Sequence, residues 1–165
     1  MINPFRKSPE IQESPGRVYA PVAGGVRPLS TVNDEVFAKG LLGQGVAIEP
    51  NGNAVCAPVS GRIILMAETH HAVGILSPDG LEVLVHIGMD TVELRGRHFK
   101  ACVRKGDEVR VGQRLIEFDR EAIKASGYDV ITPVVITNSD DFKTVATVTG
   151  ISVSQLEQIM EVTRQ

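Results

Sequence analysis

Glu68-Thr69-His70-His71-Ala72-Val73-Gly74-Ile75-Leu76-Ser77-Pro78-Asp79-Gly80-Leu81-Glu82-Val83-Leu84-Val85-His86-Ile87-Gly88-Met89-Asp90-Thr91-Val92-Glu93-Leu94 is the stretch that decides the fold, and it holds three of the chain's four histidines. It reads as one β-hairpin. Two apolar, β-branched-rich runs, Ile63 to Leu76 and Leu81 to Ile87, flank Ser77-Pro78-Asp79-Gly80. In that tetrad proline presets the first turn dihedral, aspartate bonds its own backbone and glycine tolerates positive φ. If Pro78 and Asp79 alone make the loop, His71 faces His86 across the hairpin. A bulge at Gly80 slips the pairing by one residue and leaves the rings diagonal, within reach unless the slip turns one of them to the other face. Either register allows a two-histidine site, and the facing one favours it.

The second arm has a period-2 pattern, with Val83, Val85 and Ile87 against Leu84 and His86, and it breaks at Gly88. His86 therefore stands at a strand end, where a rigid scaffold presents chemistry. Leu84 shares a face with His86, as Val73 does with His71, so the imidazoles sit beside an apolar patch suited to docking. Two neutral imidazoles are also half of a zinc site, which takes three or four ligands.

Working outward, 165 residues suit one domain with a sizeable core, and a net charge of −3 gives no reason to expect nucleic acid. No run of about 18 apolar residues is present, so a transmembrane helix is not expected. The stretch Met1 to Gly16 has three prolines and no apolar h-region, so it does not read as a secretory signal. Cys56 and Cys102 have no paired spacing; they read as small apolar packing residues in a reducing compartment, with no metal or redox role.

Sixteen glycines, nine prolines, many valines and turn signals every eight to twelve residues point to an all-β chain. Ala20-Pro21-Val22-Ala23-Gly24-Gly25-Val26 is echoed by Ala57-Pro58-Val59-Ser60-Gly61-Arg62-Ile63, and more loosely by Thr132-Pro133-Val134-Val135-Ile136. Each copy reads as a strand entered through a proline and, in the first two, bent at a glycine. Asn33 to Gly40 reads as an acidic cap leading into one or two helical turns that carry Phe37, and Val46 to Pro50 as a short strand. Val103 to Asp119 reads as strand, turn, strand, turn, strand, in the manner of biotinyl and lipoyl carriers, but without their acceptor lysine at a hairpin tip. Arg120 to Ser126 is a helix closed by Gly127. Asp140 to Thr149 is expected to add a helical turn or two. The tail admits a helix over Gln155 to Glu161 or a last strand over Ile159 to Arg164.

At His86-Ile87-Gly88-Met89-Asp90-Thr91-Val92-Glu93-Leu94 the chain resembles the glucose-type enzyme IIA component of the bacterial sugar phosphotransferase system. The likeness extends in family order through Ala57-Pro58-Val59-Ser60-Gly61, Glu68-Thr69 with His71-Ala72, Lys105-Gly106 with Val111-Gly112, Ile116-Glu117-Phe118-Asp119 and Thr132 to Ile136, and covers about Val18 to Thr149. It implies an antiparallel β-sandwich or hybrid-motif barrel with a few short helices: a flexible N-terminal segment over 1–17 and a single IIA domain over 18–165. By position it implies that His86 accepts phosphate, that His71 stabilises the phosphate or the ring, and that Thr69 assists if it shares the face of His71. Neither metal nor other cofactor is implied. The donor implied is the phosphocarrier protein HPr and the acceptor the IIB domain of a sugar permease, both docking on a rim of Phe37, Val73, Leu84, Asp90 and Val92. With no IIB or IIC segment in the sequence, a free-standing or separately expressed IIA is expected, cytoplasmic, without nucleic acid or direct membrane insertion and open to regulatory targets. His70 stands where the family usually has Asn, and the patch is aliphatic where aromatics are common. His98, after the turn at Gly96, reads as a solvated loop residue.

Two readings from other classes stand beside this one. His86 and Asp90 form His-x-x-x-Asp, as in lysostaphin-type zinc endopeptidases, but the His-x-His pair those enzymes need is absent, and His70-His71 as adjacent strand residues point to opposite faces. A non-enzymatic regulatory binding module is the other.

Overall fold

The computed structural model describes residues 13–165, so most of the segment expected over 1–17 lies outside the described residues. The strands are β1 (Arg17–Tyr19), β2 (Gly24–Pro28), β3 (Gln44–Pro50), β4 (Ala54–Cys56), β5 (Gly61–Met66), β6 (Ala72–Leu76), β7 (Glu82–His86), β8 (Phe99–Ala101), β9 (Glu108–Val109), β10 (Arg114–Phe118), β11 (Thr132–Ile136), β12 (Thr144–Thr147), β13 (Ile151–Val153) and β14 (Gln158–Thr163). Helices α1 (Glu35–Ala38) and α2 (Arg120–Ala125) are short. An antiparallel eight-stranded sheet runs β13-β2-β3-β11-β7-β6-β5-β9, and two three-stranded sheets run β1-β14-β12 and β4-β10-β8. This is the all-β, antiparallel architecture expected. No helix among the described residues is long and apolar enough to cross a membrane.

Period-2 alternation divides the large sheet between two cores. Val46, Ile48, Val73, Val83, Val85, Val134 and Ile136 point into the main core. Ala47 and Val135, with Leu84 packed against them, point the other way, where Leu29, Val32, Phe37, Met89 and Ile131 complete a smaller cluster. Helix α1 covers that second face because Asp34 caps it, its Oδ1 accepting from Val36 N at 2.9 Å and Phe37 N at 3.2 Å, which aims Phe37 inward. His86, two residues after Leu84, lies on the same face as Phe37.

The echoed motifs are real, but their strands begin at the glycine rather than before it. A Cβ at Gly24 would stand 2.0 Å from the Glu49 carbonyl oxygen, and one at Gly61 2.1 Å from that of Leu76, so both copies use glycine for close backbone approach. In the third copy Pro133 pairs with Ala47 on one side, while the ladder to β7 begins only at Val134, where a backbone donor exists again.

Four expectations are corrected. The run Ile63 to Leu76 is two strands, β5 and β6, with a turn over residues 67–71 between them. Asp140 to Thr149 forms no α-helix: a 3₁₀ turn (Ser139–Asp141) precedes strand β12, in keeping with its threonines and valines. Val103 lies between strands rather than in one. Cys102 is exposed, whereas Cys56 is buried as expected. The tail is the strand β14, and α2 forms as read, capped by Asp119 and closed by Gly127 at φ 93°.

Candidate functional site

The hairpin of β6 and β7 has the bulged register. Ser77 and Leu81 close the loop, with Ser77 N donating to the Leu81 carbonyl at 2.9 Å, and Gly80 at φ 91° is the third loop residue. A three-residue loop with its last residue left-handed slips the pairing by one. The Asp79 carboxylate fixes this turn by accepting from Ser77 Oγ at 2.5 Å and Gly16 N at 2.6 Å. Consequently Ala72, not His71, pairs with His86, and the facing register is overturned.

The rings nevertheless meet, with centroids 4.9 Å apart and planes at 85°. Continued strand alternation would have sent them to opposite faces; His71 escapes that rule because β6 begins only at Ala72. It sits at the end of the turn, behind His70 in the left-handed region at φ 59°. Thr69 and His71 are two apart in that turn, and Thr69 Oγ1 lies 2.6 Å from Nδ1 of His71. His70 and His71 are thus not adjacent strand residues.

His86 Nδ1 lies 2.8 Å from the Gly88 carbonyl oxygen. A carbonyl only accepts, so Nδ1 carries the proton and Nε2 keeps its lone pair. Among the described residues neither Nε2 has a hydrogen-bond partner, and neither is sealed from solvent. Burial, with the neighbouring His86 second, lowers the pKa of His71 from 6.5 to about 4. Burial also lowers His86, against the raising effects of the Gly88 carbonyl and of Asp34 and Asp90. Both rings are therefore neutral at pH 7, and His86 presents a bare Nε2 with the charges of Asp34 and Asp90 close enough to act on its ring.

The rim residues separate. Phe37 is buried yet lies against His86, with ring centroids 5.0 Å apart, and forms the floor of the site. Leu84 is half-buried beside it, Asp90 is exposed, and Val92 is 49% exposed. Val73 is wholly buried in the main core with Val85, so it is no rim residue. Sequence reading missed the charge of Asp34 at the site, having taken it only as a cap. It also missed Val36, Leu41 and Leu42, which α1 and the following turn leave exposed; their apolar character just after a capped helix was the available signal. His98 is exposed, as expected of a loop residue.

Residues 16–142 match the family model described as phosphoenolpyruvate-dependent sugar phosphotransferase system, EIIA 1. The chain belongs to that family. It is 40% identical over 147 residues to the glucose-specific EIIA component of Bacillus cereus, covering 88% of this chain and 89% of that one. It is 49% identical over 125 residues to the β-glucoside-specific EIIBCA component of Bacillus subtilis, covering 76% of this chain but 20% of that protein. The chain thus spans about a fifth of the length of its β-glucoside-specific relatives. Glucose permease IIA from Mycoplasma capricolum has the same fold, with a TM-score of 0.80 and 34% identity over 87% of this chain and 93% of that one. As an EIIA of this family the chain is a phosphocarrier of a sugar phosphotransferase system. The endopeptidase reading has no support in these relatives, and the described residues contain no group of three or more His, Cys, Asp or Glu placed to hold a metal ion.

Proposed function

We propose that this EIIA accepts a phosphoryl group from phospho-HPr on Nε2 of His86 and passes it to the IIB domain of a sugar permease, working in the cytoplasm as a single domain over 18–165. The observation that carries the reading is the hydrogen bond from His86 Nδ1 to the Gly88 carbonyl, which leaves Nε2 as a neutral nucleophile beside the ring of His71. In the transfer the Nε2 lone pair forms the new N–P bond while the donor's N–P bond breaks and its electron pair returns to the donor imidazole. Positive charge gathers on the His86 ring. The Gly88 carbonyl and the carboxylates of Asp34 and Asp90 favour it, as they favour the protonated ring.

His71, oriented by Thr69 and with its ring centroid 4.9 Å from that of His86, supplies a second imidazole beside the accepting ring, from which it can contact a phosphate oxygen. Little more is needed, since phosphoryl transfer depends mainly on in-line positioning and charge stabilisation. Leu84, Asp90 and Val92, joined by Val36 and Leu41, form the docking rim around the Phe37 floor. Incubation with phosphoenolpyruvate, HPr and the kinase that charges HPr, followed by mass spectrometry, must place one phosphate on His86. Labelling on any other residue overturns the assignment.

A further inference from the structure

The carbonyl that sets the His86 tautomer belongs to a tightly held peptide pair. Gly88 N donates to the Ile131 carbonyl at 3.0 Å and Met89 N to the Asp129 carbonyl at 3.0 Å. The second bond fixes the Gly88–Met89 peptide, and because N–H and C=O of one peptide point in opposite directions, it aims the Gly88 carbonyl away from Asp129 and at Nδ1. The preceding peptide, Ile87–Gly88, is held from its other side by a side chain. Thr91 is wholly buried, and its hydroxyl donates to the Ile87 carbonyl at 2.5 Å. Its methyl fills the space next to Gly88, where a Cβ would come within 2.5 Å of Thr91 Cγ2 and 2.7 Å of the Asp129 oxygen. Gly88 has φ 79°, a conformation that glycine adopts without cost and that other residues resist.

We propose that Thr91 is a positioning residue for the phosphoryl-accepting nitrogen: its hydroxyl locks the Ile87–Gly88 peptide, and through it the Gly88 carbonyl that keeps Nδ1 of His86 protonated and Nε2 bare. Among the described residues it is the one side chain besides His86 itself that hydrogen-bonds to the Ile87–Gly88 and Gly88–Met89 peptides. Without that bond the Ile87–Gly88 peptide keeps a single tether, Gly88 N to the Ile131 carbonyl, and this looser hold lets the adjoining Gly88 carbonyl tilt from the ring, so the imidazole samples the tautomer whose proton blocks attack. Phe37 and His71 pack against the ring and hold its plane, so the expected change is in the proton's position rather than in the ring's.

The inference rests on the proposed role of His86 only for its consequence in transfer, and the test separates the two. Thr91→Val removes the hydroxyl and keeps a methyl against Gly88; Thr91→Ala removes the hydroxyl without adding a group near the Ile87 carbonyl; Thr91→Ser keeps the hydroxyl. Long-range ¹H–¹⁵N spectra of the unphosphorylated proteins report the tautomer with no partner present. His86 must give a pyrrole-type Nδ1 and a pyridine-type Nε2 in the wild type and in Thr91→Ser, and averaged nitrogens in Thr91→Val and Thr91→Ala. Phosphoryl acceptance from phospho-HPr must fall about ten-fold in the latter two, the effect expected of one lost charge-orienting hydrogen bond, and recover in Thr91→Ser. Either hydroxyl-free variant, folded and with the wild-type tautomer, overturns the inference and leaves Thr91 a structural residue. If Thr91→Val does not fold, Thr91→Ala alone decides. A tautomer shift in the hydroxyl-free variants alongside a wild type that takes no phosphate anywhere would sink the proposed function instead.

Discussion

His71 and His86 stand edge to face, 4.9 Å apart, although the ladder between their strands pairs His86 with Ala72. Each ring is held by its own segment through Nδ1, His71 by Thr69 Oγ1 and His86 by the Gly88 carbonyl. The two Nε2 atoms are therefore the groups left to meet a third party. Replacing His86 by Gln should abolish labelling from phospho-HPr while leaving the circular dichroism spectrum unchanged. Histidine labelling that persists in that variant would show that another ring is the acceptor.

His71→Gln divides the two half-reactions. The nucleophile is intact, so phosphate from HPr should still arrive. Delivery to IIB should slow by about ten- to a hundred-fold, since a hydrogen bond to a charged group is worth about 1.5–3 kcal/mol. Rapid-quench measurement of both steps checks this, and equal losses in each would refute the division.

The pH dependence has a definite sign. In the fold burial, and secondarily His86, hold His71 down to about 4, whereas in the unfolded chain it titrates near its ordinary 6.5. Between those values the unfolded state binds a proton that the native state refuses, so stability is full above 6.5, falls as the pH drops toward 4, and levels off below. The loss is on the order of 3 kcal/mol for a shift of this size. Across this window the urea midpoint of the wild type should fall on acidification relative to that of His71→Gln, which lacks the titrating ring. Parallel curves would mean that the ring protonates normally in the fold.

Much of this arrangement is legible in the sequence because it follows from local rules. The Ser77 to Gly80 turn, the alternation of Val83 to His86, the cap at Asp34 and the stop at Gly127 are each fixed by nearest neighbours. The register was not legible, because Ser77-Pro78-Asp79-Gly80 admits both a two- and a three-residue loop, and one of the bonds that hold Asp79 in the observed turn comes from Gly16, more than sixty residues away in sequence. Nor was the turn at 67–71, which lies in an apolar stretch whose one break, Glu68 to His71, is polar without Gly or Pro. That error misplaced Val73: a residue read as sharing the face of His71 belongs to the strand beyond the turn, where it faces the core with Val85. The site survived the mistake because the turn that breaks the strand also swings His71 back to His86.

Asp34 has two roles that substitution separates. Asp34→Asn keeps an oxygen for Val36 N and Phe37 N but removes a charge that raises His86, so the His86 titration should move lower with the stability nearly unchanged. Asp34→Ala should lower the titration likewise and in addition cost about 1 kcal/mol through the lost cap. NMR titration and urea unfolding read the two effects. If Asn and Ala were equally destabilising, the cap account would be wrong.

The docking rim is best tested at positions that do not support the fold. Leu84 packs on the Phe37 cluster, so a charge there would damage stability as well as binding. Leu41 and Val92, at 69% and 49% exposed, carry little of the core and lie on the segments that present Phe37 and follow His86. A shallow apolar surface around one reactive nitrogen gives HPr and IIB no room to bind together, and the single phosphate must visit them in turn. A carboxylate on that surface is desolvated without a partner when either protein docks. Leu41→Asp and Val92→Asp should therefore weaken transfer from HPr and to IIB alike, while urea midpoints stay within about 0.5 kcal/mol of wild type, as for most surface substitutions. A variant that loses one partner and keeps full affinity for the other, or a ternary complex seen by NMR titration, would establish that the two partners use separate surfaces.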